Sequence, residues 1–176
     1  MYSLESKNLI LFPLSADHLE WLITDFKKLE QALNLKESGF SLNSPDPYMQ
    51  ELKGLLSGAV ISQVKDHSDH YMWYTYWLVI EKKSKIPVGG IWFNGEPDIY
   101  GKVFLGYFIE KSREGRGYAT EIVACLKEWS LGKNSLKMIV ADTSTNHKAS
   151  QKVLKKNGFK EIEKSIETSR WAYKRS

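Results

Sequence analysis

The sequence predicts one α+β domain spanning residues 1–176. Three observations carry that prediction. Three strand-like runs follow one another between residues 71 and 110. A strand–helix–strand–helix–strand succession then fills the chain to residue 176. No internal repeat, low-complexity tract or linker interrupts a length that suits a single hydrophobic core.

Taken in order, "NLILFPL" at 8–14 reads as a short strand ended by Pro13. Ser15 is an N-cap, and one helix runs through "ADHLEWLITDFKKLEQALNL", with Leu19, Leu22, Phe26 and Leu29 at helical spacing. The Ser, Asn and Pro content of 39–49 makes a loop. A helix weakened by Gly54 and Gly58 covers about 47–63. Aromatic and β-branched residues at 71–80 give the strongest strand signal, and the aromatic ones read as core and pocket wall. Strands at 86–95 and 102–110, separated by a loop from Gly95 to Gly101, extend it into an antiparallel meander.

A helix over 117–131 follows, with Ala119, Ile122, Val123, Leu126 and Trp129 on one face. "LKMIVADTS" is a strand. The next helix, 146–157, buries Ala149, Val153 and Leu154 and closes on Asn157-Gly158 as a C-cap. "FKEIEKS" and "RWAYKR" supply the final strands.

Composition excludes several classes. At 42% hydrophobic and 12% aromatic the chain folds rather than remaining a disordered tail. No apolar run approaches the ~20 residues that span a bilayer, so no membrane partner is expected. The N-terminal segment lacks a secretory signal's charged start and small-residue cleavage site. A lone Cys125 forms no internal disulfide and reads as a helix residue turned inward, so a reducing, cytoplasmic location is the expectation. Asp66, His67, Asp69 and His70 resemble metal ligands in type, but with no further partner they read as exposed loop polarity, and no metal is expected.

Charge is unevenly spread. Residues 1–110 hold 10 Lys+Arg against 14 Asp+Glu, net −4, and residues 111–176 hold 15 against 7, net +8. The basic section begins with "SREGRGYATE" at 112–121, a glycine-rich turn between a strand and a helix. A polyphosphate would be drawn there, although a solvated lysine-rich face has the same composition. The turn is not a P-loop, because Tyr118 and not Lys follows its last glycine. It is not a dinucleotide fingerprint either, because Thr120 occupies the third small position. What remains is G-x-G-x-A: Gly115, Gly117 and Ala119. Small residues let the backbone approach a ligand, and free amides of the first helical turn favour an anion. Alone, the pattern equally describes a plain turn into a helix.

A second motif, "NHKASQKVLKKNGF" at 146–159, follows about thirty residues later. "LGYFIEKSREGRGYATE" together with "ADTSTNHKASQKVLKKNGF" resembles the GCN5-related N-acetyltransferases (GNAT), in the branch of the ribosomal-protein N-terminal acetyltransferases. The resemblance covers nearly the whole chain and implies a mixed, strongly twisted, splayed sheet flanked by helices. It implies acetyl-CoA as co-substrate. The family pattern Gln/Arg-x-x-Gly-x-Gly/Ala falls on Glu114, Gly117 and Ala119, so amides from Gly115 through Arg116, Gly117 and Tyr118 to Ala119 would grip the pyrophosphate. Glu114 departs from the usual Gln or Arg, with Arg113 or Arg116 near enough in sequence to compensate. Tyr107, Phe108 and Ile109 end the strand that splays in the family, where the pantetheine arm pairs with exposed backbone. The Asn-x-x-Ser spacing lands on His147 and Ser150, with Asn146 one residue early, and these three become cofactor-arm contacts.

The chemistry implied is acyl transfer from a thioester to an amine by direct attack. A backbone N–H near Phe108 polarises the carbonyl, and Ser150 protects the leaving thiolate. The branch often has Glu where Phe104 stands, so a direct carboxylate base is missing there. Glu96, Asp98, Tyr100 and His70 are nearby-loop candidates, each more simply a surface residue. The acceptor is a small primary amine or a protein N-terminus. The chain is a monomer or homodimer, and no nucleic acid is expected as partner. A non-catalytic CoA-binding sensor of the same fold is the alternative that Glu114 and Phe104 keep open.

Overall fold

The structure is a computed structural model that describes residues 2–38, 50, 52–54, 56–133 and 135–175. Its strands are β1 (Leu4–Glu5), β2 (Leu9–Pro13), β3 (Tyr76–Glu81), β4 (Ile86–Phe93), β5 (Lys102–Ile109), β6 (Met138–Ser144), β7 (Lys160–Lys164) and β8 (Thr168–Lys174). Its helices are α1 (Ala16–Thr24), α2 (Phe26–Ala32), α3 (Ile61–Asp66), α4 (Tyr118–Leu131) and α5 (Lys148–Lys156), with a π-helical turn at Leu56–Val60 leading into α3. The strands form one eight-stranded sheet in the order β1-β2-β3-β4-β5-β6-β8-β7. Pairing is antiparallel from β1 to β5, parallel between β5 and β6, and antiparallel again through β8 to β7. The sheet is mixed, as expected.

Two apolar layers cover its faces. On one face Val103, Leu105, Ile139, Ile122, Val123, Leu126 and Leu154 pack the sheet against α4 and α5. On the other, Leu14, Leu19, Leu22, Leu29, Tyr76 and Leu78 pack it against α1, α2 and the segment leading into α3. Leu126 is wholly buried, and removing such a side chain from water is worth about 1.5–3 kcal/mol. The buried positions of α4 follow the periodicity seen in sequence, with Trp129 packed at an angle against the Trp73 ring and edge-on to Trp77. Asn157 ties α5 to α4: its side-chain amide donates to Thr120 O at 3.2 Å, and its own carbonyl accepts from Lys127 Nζ at 3.0 Å.

Several boundaries depart from expectation, each for a local reason. The single helix through residue 35 breaks at Asp25, which closes α1 and caps α2 by accepting from Lys28 N at 3.1 Å. A short acidic side chain that bonds the backbone of the next turn favours an end over an interior. Ser15 caps α1 as read, and His18 completes the reciprocal pair in place of Glu or Gln. The strand signal at 71–80 begins with a 3₁₀ turn, Tyr71–Trp73, and becomes strand only at Tyr76. β1 was not anticipated, since two residues are too few to show alternation. The expected loop at 39–49 and the start of the helix at 47–63 lie outside the described residues.

Candidate active site

The site begins where the ladder stops. β5 pairs with β6 only at Lys102↔Met138, Val103↔Ile139 and Phe104↔Val140. Leu105 to Ile109 stay paired with β4, and Ala141 to Ser144 stay paired with β8. Beyond Phe104 the two strands therefore diverge, each held on its outer side, and a wedge opens between them. This is the splay that the resemblance implied, and it requires no broken helix or missing strand.

Antiparallel alternation decides which backbone groups face the wedge. Asn94 N donates to Phe104 O at 3.0 Å and Glu110 N to Val88 O at 2.9 Å, and a Cβ on Gly89 would meet Phe108 O. Phe104, Gly106 and Phe108 thus turn their amides and carbonyls toward β4. Leu105, Tyr107 and Ile109 turn theirs into the wedge. Of the N–H groups near Phe108, among which the donor to the carbonyl is expected, Phe108's own is directed at β4, and those of Tyr107 and Ile109 are aimed at the opening.

Side chains alternate the other way. Tyr107 reaches toward α5, where its hydroxyl lies 2.9 Å from Ser150 Oγ and 3.4 Å from Ser150 O. Burial pushes the Tyr107 phenol up to about 12, so it stays protonated through neutral pH. Ser150 is fixed from behind, because His147 is the N-cap of α5 and its Nδ1 accepts from Ser150 N at 2.9 Å. Asn146, one residue earlier, is exposed and donates its backbone N–H to Ser144 Oγ at 3.3 Å. The structure thus brings Tyr107, His147 and Ser150 together and leaves Asn146 at the rim.

The glycine-rich turn closes the far end of the wedge. Gly115 and Gly117 have φ of 75° and 82°, a region that costs other residues roughly 1–2 kcal/mol. Nothing lies within 4 Å of where a Cβ would sit on either, so both approaches to the backbone are open. The first intrahelical bond runs from Glu121 N to Gly117 O at 3.1 Å, which leaves the amides of Tyr118, Ala119 and Thr120 without helical acceptors. Glu114 is exposed and its chain is not drawn inward.

Glu81 was not singled out in the sequence. It ends the buried strand β3 and takes hydrogen bonds from the hydroxyls of Ser84 and Tyr118. Arg113 and Arg116 approach the same carboxylate at 3.4 and 3.6 Å. These donors, led by Ser84 and then Tyr118, hold its pKa below the usual glutamate value. Tyr118 therefore serves the turn through its side chain as an anchor, while its amide remains available. The two arginines that follow Lys111 are both drawn toward Glu81 beside the turn, Arg116 while still exposed.

The loop candidates for a base lie elsewhere. Asp98 caps its own turn by accepting from Tyr100 N and Lys102 N at 2.9 Å each, and Tyr100 is exposed. Glu96 pairs with His70 at 2.9 Å, and His67 stacks on Tyr74 at 4.1 Å. Glu96, Asp98 and Tyr100 lie in the loop joining β4 to β5, and His70, from the segment before β3, meets them there through Glu96, several residues along β5 from the wedge. Among the described residues no group of three His, Cys, Asp or Glu is arranged to hold a metal ion, and no helix is long and apolar enough to cross a membrane. Cys125 is half-buried on α4, and burial raises its pKa.

Comparison with known proteins adds the chemistry. Residues 8–160 match the family model described as "Acetyltransferase (GNAT) domain". The chain is 34% identical over 97 residues to the uncharacterized N-acetyltransferase YjdG of Bacillus subtilis (strain 168), a match spanning 55% of this chain and 58% of that protein's length. Its fold is similar to that of RimL, a ribosomal L7/L12 alpha-N-protein acetyltransferase solved in complex with coenzyme A, with a TM-score of 0.67 at 16% identity over 98% of both chains. It is similarly close to the ribosomal-protein-S5-alanine acetyltransferase from Vibrio fischeri, with a TM-score of 0.67 at 16% identity over 99% of this chain and 97% of that one. A family model covering most of the length, on a fold whose sheet parts at the expected strand, settles the assignment: the chain belongs to the GNAT acetyltransferases, the family that takes its acetyl group from acetyl-CoA.

Proposed function

We propose that residues 1–176 act as one N-acetyltransferase domain that moves an acetyl group from acetyl-CoA to a primary amine, on a protein N-terminus or a small molecule. The observation that carries this reading is the wedge itself: β5 leaves β6 after Phe104 and leads, through Tyr107 and Ile109, to a turn with open glycines. The residues fit the donor. Gly115 and Gly117 leave room for a diphosphate against the amides of Arg116 to Ala119, and the inward-facing groups of Tyr107 and Ile109 can pair with an extended amide-bearing arm. Acetyl-CoA supplies an activated acyl group whose thiolate leaves readily.

Each remaining task falls to a named group. The Tyr107 or Ile109 amide, directed into the wedge, donates to the carbonyl oxygen as negative charge develops there. The Tyr107 and Ser150 hydroxyls share one hydrogen bond, which leaves the other hydroxyl proton to donate to the departing sulfur. Positioning two reactants in a closed gap supplies a large part of the barrier reduction. An α-amino group, with a pKa near ~8, is more often neutral at pH 7 than a lysine amine near ~10.4, and so needs less help from a base. The ribosomal-protein acceptors named for structures of similar fold support a protein N-terminus as the first acceptor to try. A cytoplasmic monomer or homodimer is the expected form, with no nucleic acid as partner.

The test is calorimetry with acetyl-CoA followed by thiol release against a panel of short peptides with free N-termini and simple mono- and diamines. Binding with turnover of at least one amine is the expected result. Binding without turnover on any amine would favour the CoA-binding sensor, and no binding would remove both readings.

A further inference from the structure

We propose that Asp142 receives the acceptor: its carboxylate accepts a hydrogen bond from the nitrogen that attacks the thioester, on the face of the sheet opposite the donor's loop. This inference rests on the function proposed above. The wedge opens on two faces. One carries Leu105, Tyr107 and Ile109 beneath α4, α5 and the glycine-rich turn, and is taken up by the donor. The acceptor is left with the other.

That second face can be identified from contacts. A Cβ on Gly106 would meet the Trp92 ring and one on Gly90 would meet Tyr76, while the Phe108 and Tyr76 rings lie 6.5 Å apart. Phe104, Gly106 and Phe108 therefore share this face with Trp92 and Tyr76. Phe104↔Val140 is the last β5–β6 pair, and paired residues point the same way. Asp142 stands two residues beyond Val140, so it projects on the same face from the opposite bank of the wedge.

The carboxylate is held rather than loose. Arg170, its cross-strand partner on β8, donates to both oxygens at 2.8 and 2.9 Å. The same guanidinium lies 5.7 Å from the Phe104 ring centroid, which brings the pair over the point where the strands part. Lys102 Nζ lies 5.6 Å from that ring, and Glu163 lies 3.5 Å from Arg170. The fork uses one lone-pair site on each Asp142 oxygen, and a carboxylate offers about four, so acceptor sites remain for an amine. Phe104 itself brings no charge to this face, and Glu96, Asp98 and His70 stand at the closed end of the hairpin.

The step is then simple. A neutral amine donates one N–H to Asp142, and its lone pair forms the C–N bond. The C–S bond breaks with its electron pair on sulfur. The proton that nitrogen sheds is balanced by the one sulfur takes up, leaving an amide and a free thiol.

The experiment compares Asp142→Asn, Asp142→Glu and wild type on the best acceptor of the same panel, with acetyl-CoA affinity measured separately by calorimetry. Asn is expected to lower kcat/KM for the amine about 10- to 100-fold, as loss of a hydrogen bond to a charged group does. Acetyl-CoA affinity is expected to stay within about twofold of wild type, and Glu is expected to recover part of the loss. Unchanged amine kinetics in Asn overturns the role of Asp142 while leaving the enzyme reading intact. Donor and acceptor constants falling together, or Glu behaving no better than Asn, also overturns it by exposing a merely structural ion pair. A wild type that binds acetyl-CoA yet acetylates nothing takes down the enzyme reading and this inference with it.

Discussion

The first three residues of β5 and its last five share one strand but live in different ladders. Lys102 to Phe104 are paired with β6, while Leu105 to Ile109 are paired with β4 alone. Val103 at the closed end is buried, and the run from Gly106 to Ile109 is only half-buried throughout. The closed end carries stability through ordinary packing. Among the described residues the open end has no strand partner on its wedge side, an arrangement that proteins usually avoid at sheet edges and that here coincides with the phenol, the serine and the glycine-rich turn. Under the proposed function, stability and activity are separable along a single strand, and each end can be perturbed with a distinct readout.

The largest effect is expected from the closed end. Ile139 is wholly buried opposite Val103, so Ile139→Ala should cost about 2–5 kcal/mol of unfolding free energy in urea. Acetyl-CoA affinity of the folded fraction should hold, and a parallel collapse of affinity would erase the distinction between the two ends. Next comes the turn. Gly117→Ala meets no neighbour within 4 Å, so its penalty is backbone strain at φ 82°. That strain, roughly 1–2 kcal/mol, should appear as about tenfold weaker acetyl-CoA binding in calorimetry, with KM for the amine little changed.

A smaller effect is expected within the wedge. Tyr107→Phe removes the hydroxyl that meets Ser150, at about 0.5–1.5 kcal/mol, and should lower kcat severalfold while leaving acetyl-CoA affinity nearly intact. The pH dependence sharpens this. The Tyr107 pKa rises from 10.0 to about 12 on folding, so its stabilising contribution is complete below pH 10 and is lost as pH climbs through 12. Alkaline unfolding of the Phe variant should lack that component. Glu81 gives the opposite sign. Its lowered pKa contributes stability above the ordinary glutamate range, which is lost as pH falls, so Glu81→Gln should flatten the acid limb of the unfolding curve. A steeper acid limb in that variant would show that Ser84, Tyr118 and the arginines do not favour the charged form.

Much of this layout is legible in the sequence because it is local. The face of α4, the turn from Gly115 to Ala119 and the cap at Asn157-Gly158 are each specified within a few residues. The parting of the sheet is not readable from periodicity, and it came from the likeness of two motifs. The missed residues act across the chain. Glu81 meets Tyr118 and Arg113 more than thirty positions away, and Asp142 meets Arg170 across a strand pair. Nothing in "YWLVIE" or "VADTS" marks those carboxylates, because their partners are chosen by strand order. The sequence also could not narrow the N–H near Phe108 to one residue, since which side of a strand an N–H faces depends on the register with β4.

The half-finished ladder between β5 and β6 also bears on the protein's durability. Under the proposed reading, the sheet is completed by a metabolite rather than by its own chain. Ligand at a hundred times its dissociation constant would raise the unfolding free energy by about 2.7 kcal/mol. The same molecule that fuels catalysis would then act as its keeper, and a shortage of donor would idle the enzyme and shorten its survival together.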